Sequence, residues 1–243
     1  MLIPALTTAA VLIVLASGPA HAMHISEGIL PVPWALFWFA LSTPFLILGL
    51  RNLNARSKSE PHLKAMVALV GSAVFIISCM PIPVPTAGTC SHPCGTGMAA
   101  ILIGPTLTVL VASVALVLQA LFLAHGGLTT LGADIFSMGV AGAFTGYGVF
   151  FLLRKLGLSW FVAAFAAGLI SDWATYGATS LALAAALHSD GSFSTMFWSI
   201  IVAFVPTQVP LGILEGFITA GAYSFIHTRR PEYLGMLAKG EAR

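Results

Sequence analysis

Pro31-Val32-Pro33-Trp34-Ala35-Leu36-Phe37-Trp38-Phe39-Ala40-Leu41-Ser42-Thr43-Pro44-Phe45-Leu46-Ile47-Leu48-Gly49-Leu50 runs without a charged residue for the length that a helix needs to cross a hydrocarbon core. Trp34 and Trp38 stand in its first turns, where an interfacial aromatic belt would place them. The composition of the whole chain points the same way. Of 243 residues, 58% are hydrophobic and 7% charged, and the mean hydropathy is +0.97. A soluble domain carries about a quarter charged residues, so the expected fold is an all-α polytopic membrane protein. The formal net charge of +2 is too weak to suggest a nucleic-acid partner, and the basic residues sit in a few connecting segments instead of along one face.

Downstream, the connection from Arg51 to Lys64 holds Arg51, Arg56, Lys58 and Lys64 against Glu60, a positive-inside signal that makes it cytoplasmic and puts the preceding end outside. Further apolar segments follow over Ala65–Met80, Met98–Ala124, Leu131–Leu153, Leu158–Leu187 and Met196–Ile226. Gly104-Pro105 either kinks the third segment or ends a short re-entrant piece within it. Ser171-Asp172-Trp173 is expected to break the fifth, and Pro206-Thr207-Gln208-Val209-Pro210 the sixth. Asp172 reads either as a functional group facing the interior or as a cap in a bent segment, and Glu215 needs a partner inside the protein. Gly142 and Gly146, and the row Gly212, Gly216, Ala220, are candidates for close helix packing. Arg154-Lys155 and the tail with Arg229-Arg230 read as cytoplasmic. Six segments would return both mature ends to one side, so seven helices are expected, one proline-interrupted segment being split.

Upstream of Pro31 lies an apolar run, Leu2–Ala16, too short to span comfortably, followed by Ala20-His21-Ala22, the small-residue pattern of a leader cleavage site. Residues 1–22 are therefore expected to be a signal peptide, and residues 23–243 a single transmembrane domain. Cleavage makes Met23 the N-terminus. Its amine, the amide nitrogen of His24 and the His24 Nδ1 can then close two fused chelate rings on one ion; an uncleaved leader would leave no amine. Planar nitrogen ligation suits Cu(II) or Ni(II), with Co(II) possible, and disfavours Mg(II) and Ca(II). The open position can be filled by His92, in the glycine-containing loop Thr86–Gly97 on the same side as Met23. Cys90 and Cys94 flank His92, so a disulfide between them or thiolate ligation of a soft metal is an alternative. A membrane thiol-metal redox enzyme using Cys90, Cys94 and His92, with Asp172 or Glu215 relaying protons, is the rival of another class. No phosphate-binding G-x-x-x-x-G-K-[ST] motif occurs, so ATP-driven activity would have to come from a partner.

The blocks Met23–Pro31, Gly88–Gly97 continuing to Pro105, Gln119–Met138 and Gln208–Gly216 resemble the cobalt-transport S components of energy-coupling-factor (ECF) transporters, the CbiM/NikM family. Ser26-Glu27-Gly28 and Cys90-Ser91-His92-Pro93 are similar to its cobalt branch. The resemblance implies a seven-helix fold whose processed N-terminus folds back to bind a divalent metal, with Met23, His24 and His92 as ligands. It implies a substrate-specific subunit and not an enzyme, with Co(II), or alternatively Ni(II), as cargo instead of a cofactor. It also implies a bacterial inner-membrane location with the mature N-terminus outside, a transmembrane coupling subunit, an ATPase subunit and a small accessory membrane subunit. Asp134 departs from the family pattern, in which Asn is usual.

Overall fold

The computed structural model describes residues 25–80, 82–84, 89–123, 125–188, 191–231 and 234. The expected leader, Met23 and His24 lie outside the described residues. Among the described residues there are seven helices: α1 (Val32–Arg56), α2 (Leu63–Ser78), α3 (Thr96–Ile103), α4 (Pro105–Phe122), α5 (Leu131–Lys155, π-helical over Ile135–Gly142), α6 (Trp160–Leu187) and α7 (Phe193–Arg229). A small antiparallel hairpin joins α2 to α3, with β1 (Ile82–Val84) paired to β2 (Thr89–Ser91) and Pro83 opposite Cys90. The fold is an all-α polytopic membrane protein. Four of the helices, α1, α4, α5 and α7, are long and apolar enough to cross a membrane.

Large apolar side chains such as Val32, Leu69, Phe122, Trp198 and Val202 face outward, while Asp134, Asp172, Glu215, His92, Gln119 and Gln208 are buried. This distribution is what lipid contact outside and a polar interior require. Lipid tails are as apolar as leucine, so helix association rests on close packing and interhelical hydrogen bonds. Gln119 of α4 donates to Ser78 of α2 at 2.7 Å, and Asn52 of α1 donates to Thr106 of α4 at 2.7 Å. Arg56 is buried, pairing with Glu60 at 3.2 Å. Trp38 is buried too, its ring centroid 5.1 Å from that of Phe136, so it is a core residue and not an interfacial anchor.

The segment that splits is the third. Gly104 takes φ +89°, a backbone region that side chains disfavour, and Pro105 starts the next helix without needing an N–H partner. The eight-residue α3 spans only about 12 Å at 1.5 Å per residue and is buried throughout, so it lies inside the bundle. Two expected breaks are absent. α6 continues through Ser171-Asp172-Trp173, which rules out a capping role for Asp172. α7 continues through Pro206 and Pro210, and two side chains add hydrogen bonds to backbone carbonyls in that stretch. The Thr207 hydroxyl donates to the Phe204 carbonyl (3.0 Å) and the Trp173 indole to the Gln208 carbonyl (3.0 Å).

Candidate metal site

His92 follows β2 directly and precedes α3, so two rigid elements hold its backbone. The residue is buried. Its N–H donates to the Tyr176 hydroxyl at 2.9 Å, and that hydroxyl donates to the His92 carbonyl at 3.1 Å. One α6 side chain thus clamps both backbone groups of His92. The ring Nδ1 lies 2.8 Å from the Pro93 carbonyl, which can only accept, so Nδ1 carries the proton. Nε2 is left as the lone-pair nitrogen. A histidine ligand is oriented in this way when its other nitrogen is hydrogen-bonded to a carbonyl. Burial pushes the imidazole down to about 4 against the opposing pull of Pro93, which keeps it neutral as ligation demands.

The segment after His24 is anchored to the start of α5 and the linker before it. Ile25 is fully buried; its N–H donates to Asp134 Oδ1 at 3.1 Å and its carbonyl accepts from the Thr130 hydroxyl at 2.6 Å. Thr129 donates to Glu27 from its hydroxyl and, at 3.2 Å, from its backbone N–H. The Thr129 hydroxyl holds the Glu27 carboxyl below the usual carboxylate range. Asp134 therefore has a positioning role. An Asn at that position would keep it, since a carboxamide oxygen also accepts an N–H.

The linker that makes these bonds also carries His125, near enough to His92 for that residue to oppose the protonation of His125. Burial and, after it, His92 push His125 down to about 3. The linker carries no fixed charge, and the importance of its hydroxyls emerges only from the contacts they make. Thr129, Thr130, Tyr176 and His125 were not singled out from sequence for that reason.

The cysteines behave differently from the thiolate alternatives. Cys94 is a free, buried thiol, so no Cys90–Cys94 disulfide is present. Its sulfur faces Asp172 Oδ1 at 3.8 Å instead of joining the His92 ring. Glu215 has found its partners in the backbone: Cys94 N–H donates to it at 2.6 Å and Gly95 N–H at 2.9 Å, at the N-terminus of α3.

Fold and contacts together define a helical membrane protein with a polar interior against which Ile25 is buried. A family model described as the cobalt uptake substrate-specific transmembrane region matches residues 24–233. The chain belongs to this family. A cobalt transport protein of Sorangium cellulosum is 60% identical over 215 residues, which is 88% of this chain and 96% of that protein. One of Geobacter sulfurreducens is 58% identical over 228 residues, 94% of this chain and 66% of the relative's length. A crystal structure described as a truncated transition metal transporter superposes with a TM-score of 0.75 at 25% identity, covering 85% of this chain and 99% of that chain. The chain is accordingly a membrane protein of a metal-transport family and not an enzyme, which removes the redox alternative.

Proposed function

We propose that residues 23–243 form the substrate-specific subunit of an ATP-driven importer for Co(II). The ion is captured by the Met23 amine, the His24 amide and imidazole nitrogens, and His92. The observation that supports this reading is the anchoring of Ile25 on Asp134 and Thr130, because it fixes the segment that follows the proposed ligands in sequence to the linker whose His125 neighbours His92. The names of the related cobalt transport proteins support cobalt as the cargo. The ion enters from the outer face of the bacterial inner membrane, where the basic Arg51–Lys64 connection and the Arg229-Arg230 tail put the mature N-terminus by marking the opposite side. Energy comes from partners, a transmembrane coupling subunit and an ATPase subunit with a small accessory membrane subunit, since the chain has no phosphate-binding loop of its own.

Native mass spectrometry of the purified protein, titrated with Co(II) and Ni(II), tests the site. The expected species begins at Met23 and holds one metal ion, with a proton lost beyond those of the amine and imidazoles. One extra residue in front of Met23 turns the amine into an amide and should abolish binding. A mass beginning at Met1, or a processed protein that holds no metal, overturns the proposal; tighter retention of Ni(II) than Co(II) overturns the choice of cargo.

A further inference from the structure

Cys94, Asp172 and Glu215 form a second group of ligating side chains, separate from the His92 ring. One ligand atom from each, the sulfur and two carboxylate oxygens, all lie within 4.8 Å of one another in a fully buried cluster. No cationic side chain pairs with them, since the ion pair among the described residues is Arg56 with Glu60. Glu215 is held in place by the Cys94 and Gly95 N–H groups, and each of its oxygens keeps a further lone pair. Asp172 is 0% exposed; one oxygen faces the Cys94 sulfur, no backbone N–H, hydroxyl or amide of the described residues donates to the other, Oδ2, and the carboxyl group also lies against that of Glu215. A buried carboxylate oxygen without a donor is costly, and a bound cation removes the cost.

We propose that Cys94, Asp172 and Glu215 are a transit site for the divalent transition-metal ion, receiving it after release from His92. The inference rests on the capture reading for the identity of the cargo. Position supports it. The residues around His92 bond to Tyr176 of α6 and Gln208 of α7, whereas the cluster uses Asp172, one turn earlier on α6, and Glu215, about two turns later on α7. At 1.5 Å per residue these steps are about 6 and about 10 Å. Both lead the same way, toward the start of α6 after Arg154-Lys155 and toward Arg229-Arg230 at the end of α7, the ends that basic residues mark as cytoplasmic.

One sulfur and two oxygens select a borderline ion such as Co(II), Ni(II) or Zn(II) over Mg(II) or Ca(II). The site is also suitably weak. Bonds of about 2.0–2.3 Å need ligand atoms about 3.5 Å apart, so the three side chains must draw inward to close on an ion. A station on a conduction route has to release what it binds.

The test uses full-length protein carrying Cys79→Ser and Cys90→Ser, so that Cys94 is the thiol under observation. Co(II) titration is expected to produce a sulfur-to-metal charge-transfer absorption in the near ultraviolet, which disappears when Cys94→Ser is added. Because His92→Ala disables the capture site alone, the absorption persists in that background, and failure of the capture reading is thereby told apart from failure of this one. Asp172→Asn should keep capture-site affinity for Co(II) yet lower uptake in cells carrying the full transporter by about tenfold or more, the effect of losing one ligand, with Asp172→Glu restoring part of it. Should Asp172→Asn reduce the amount of folded protein, Cys94→Ser supplies the same uptake comparison. Absence of the absorption in the Cys94-only protein overturns the site. Wild-type uptake by the Asp172→Asn or Cys94→Ser protein overturns its transit role and leaves the cluster as a proton-sharing cap on α3.

Discussion

His92 is a buried neutral base, and this sets a pH dependence whose sign can be worked out. Its folded value of about 4 lies below the usual 6.5, so the unfolded chain takes up a proton that the folded protein refuses. Its contribution is therefore constant above pH 6.5, and stability falls as the pH drops from 6.5 toward 4. The whole effect is of order 3 kcal/mol, at about 1.4 kcal/mol per unit. Thermal melting of the metal-free protein in detergent across this range should show the loss, and His92→Gln should flatten it; an unchanged slope would mean that another group is responsible. Glu27 acts in the same direction, lower on the scale. Its carboxyl is held low by Thr129, so this anchor is complete above the ordinary carboxylate range and is lost only as the pH falls through its own depressed value. Removing it by Glu27→Ala should weaken Co(II) binding about fivefold, the worth of roughly 1 kcal/mol for one hydrogen-bonded contact, as read by calorimetry. Asp134→Asn should leave binding unchanged, because the Ile25 N–H retains an oxygen acceptor.

At the scale of the element, the short helix α3 decides where both Cys94 and His92 sit. Its Gly97 packs so closely on α6 that an added Cβ would meet the Ala167 carbonyl at 2.8 Å and the Gly168 Cα at 2.9 Å. Gly146 on α5 makes the same approach, since a Cβ added there would lie 3.1 Å from the Gly97 Cα and 3.0 Å from the Ala167 carbonyl. These are backbone neighbours and cannot swing aside. Gly97→Leu should destabilise by about 1–3 kcal/mol or more through overpacking and should weaken metal binding by shifting the start of α3. Gly148→Ala, where nothing lies within 4 Å, is the matching control and should melt like the wild type. The proline pair in α7 illustrates the complementary effect. α7 runs unbroken through both, although their missing N–H groups take the usual i+4 donor from the Val202 and Pro206 carbonyls, and the Trp173 indole ties the same stretch to α6 through the Gln208 carbonyl.

For the whole molecule, the proposed function divides the work between subunits, with metal capture in this chain and ATP hydrolysis in a partner, in keeping with the lack of a G-x-x-x-x-G-K-[ST] motif in its sequence. Reconstituted alone in vesicles, the chain is expected to bind Co(II) without accumulating it. Addition of the coupling and ATPase subunits should produce ATP-dependent accumulation, followed with radioactive cobalt. Concentrative uptake by the chain alone would overturn the proposed division. The outward face of the bundle, with Phe122, Trp198 and Val202 among its exposed side chains, is apolar as contact with lipid requires.

What the sequence determined by itself follows from local chemistry. The charge-free run Pro31–Leu50 and the low charge content require a membrane environment, prolines exclude helix from the hairpin, and Gly104-Pro105 marks a break. The need of Glu215 for an interior partner was also legible, because a carboxylate at membrane depth has no water to turn to. Tertiary structure alone decided which partner it found, backbone N–H groups from Cys94 and Gly95, 121 and 120 residues away in the chain. It also decided that Trp38 is core, that α6 and α7 run unbroken, and that a linker without charges anchors Glu27 and Ile25. Those outcomes depend on donors and surfaces presented by distant helices, and no local pattern records which hydroxyl, indole or amide will arrive beside a given residue once the bundle closes.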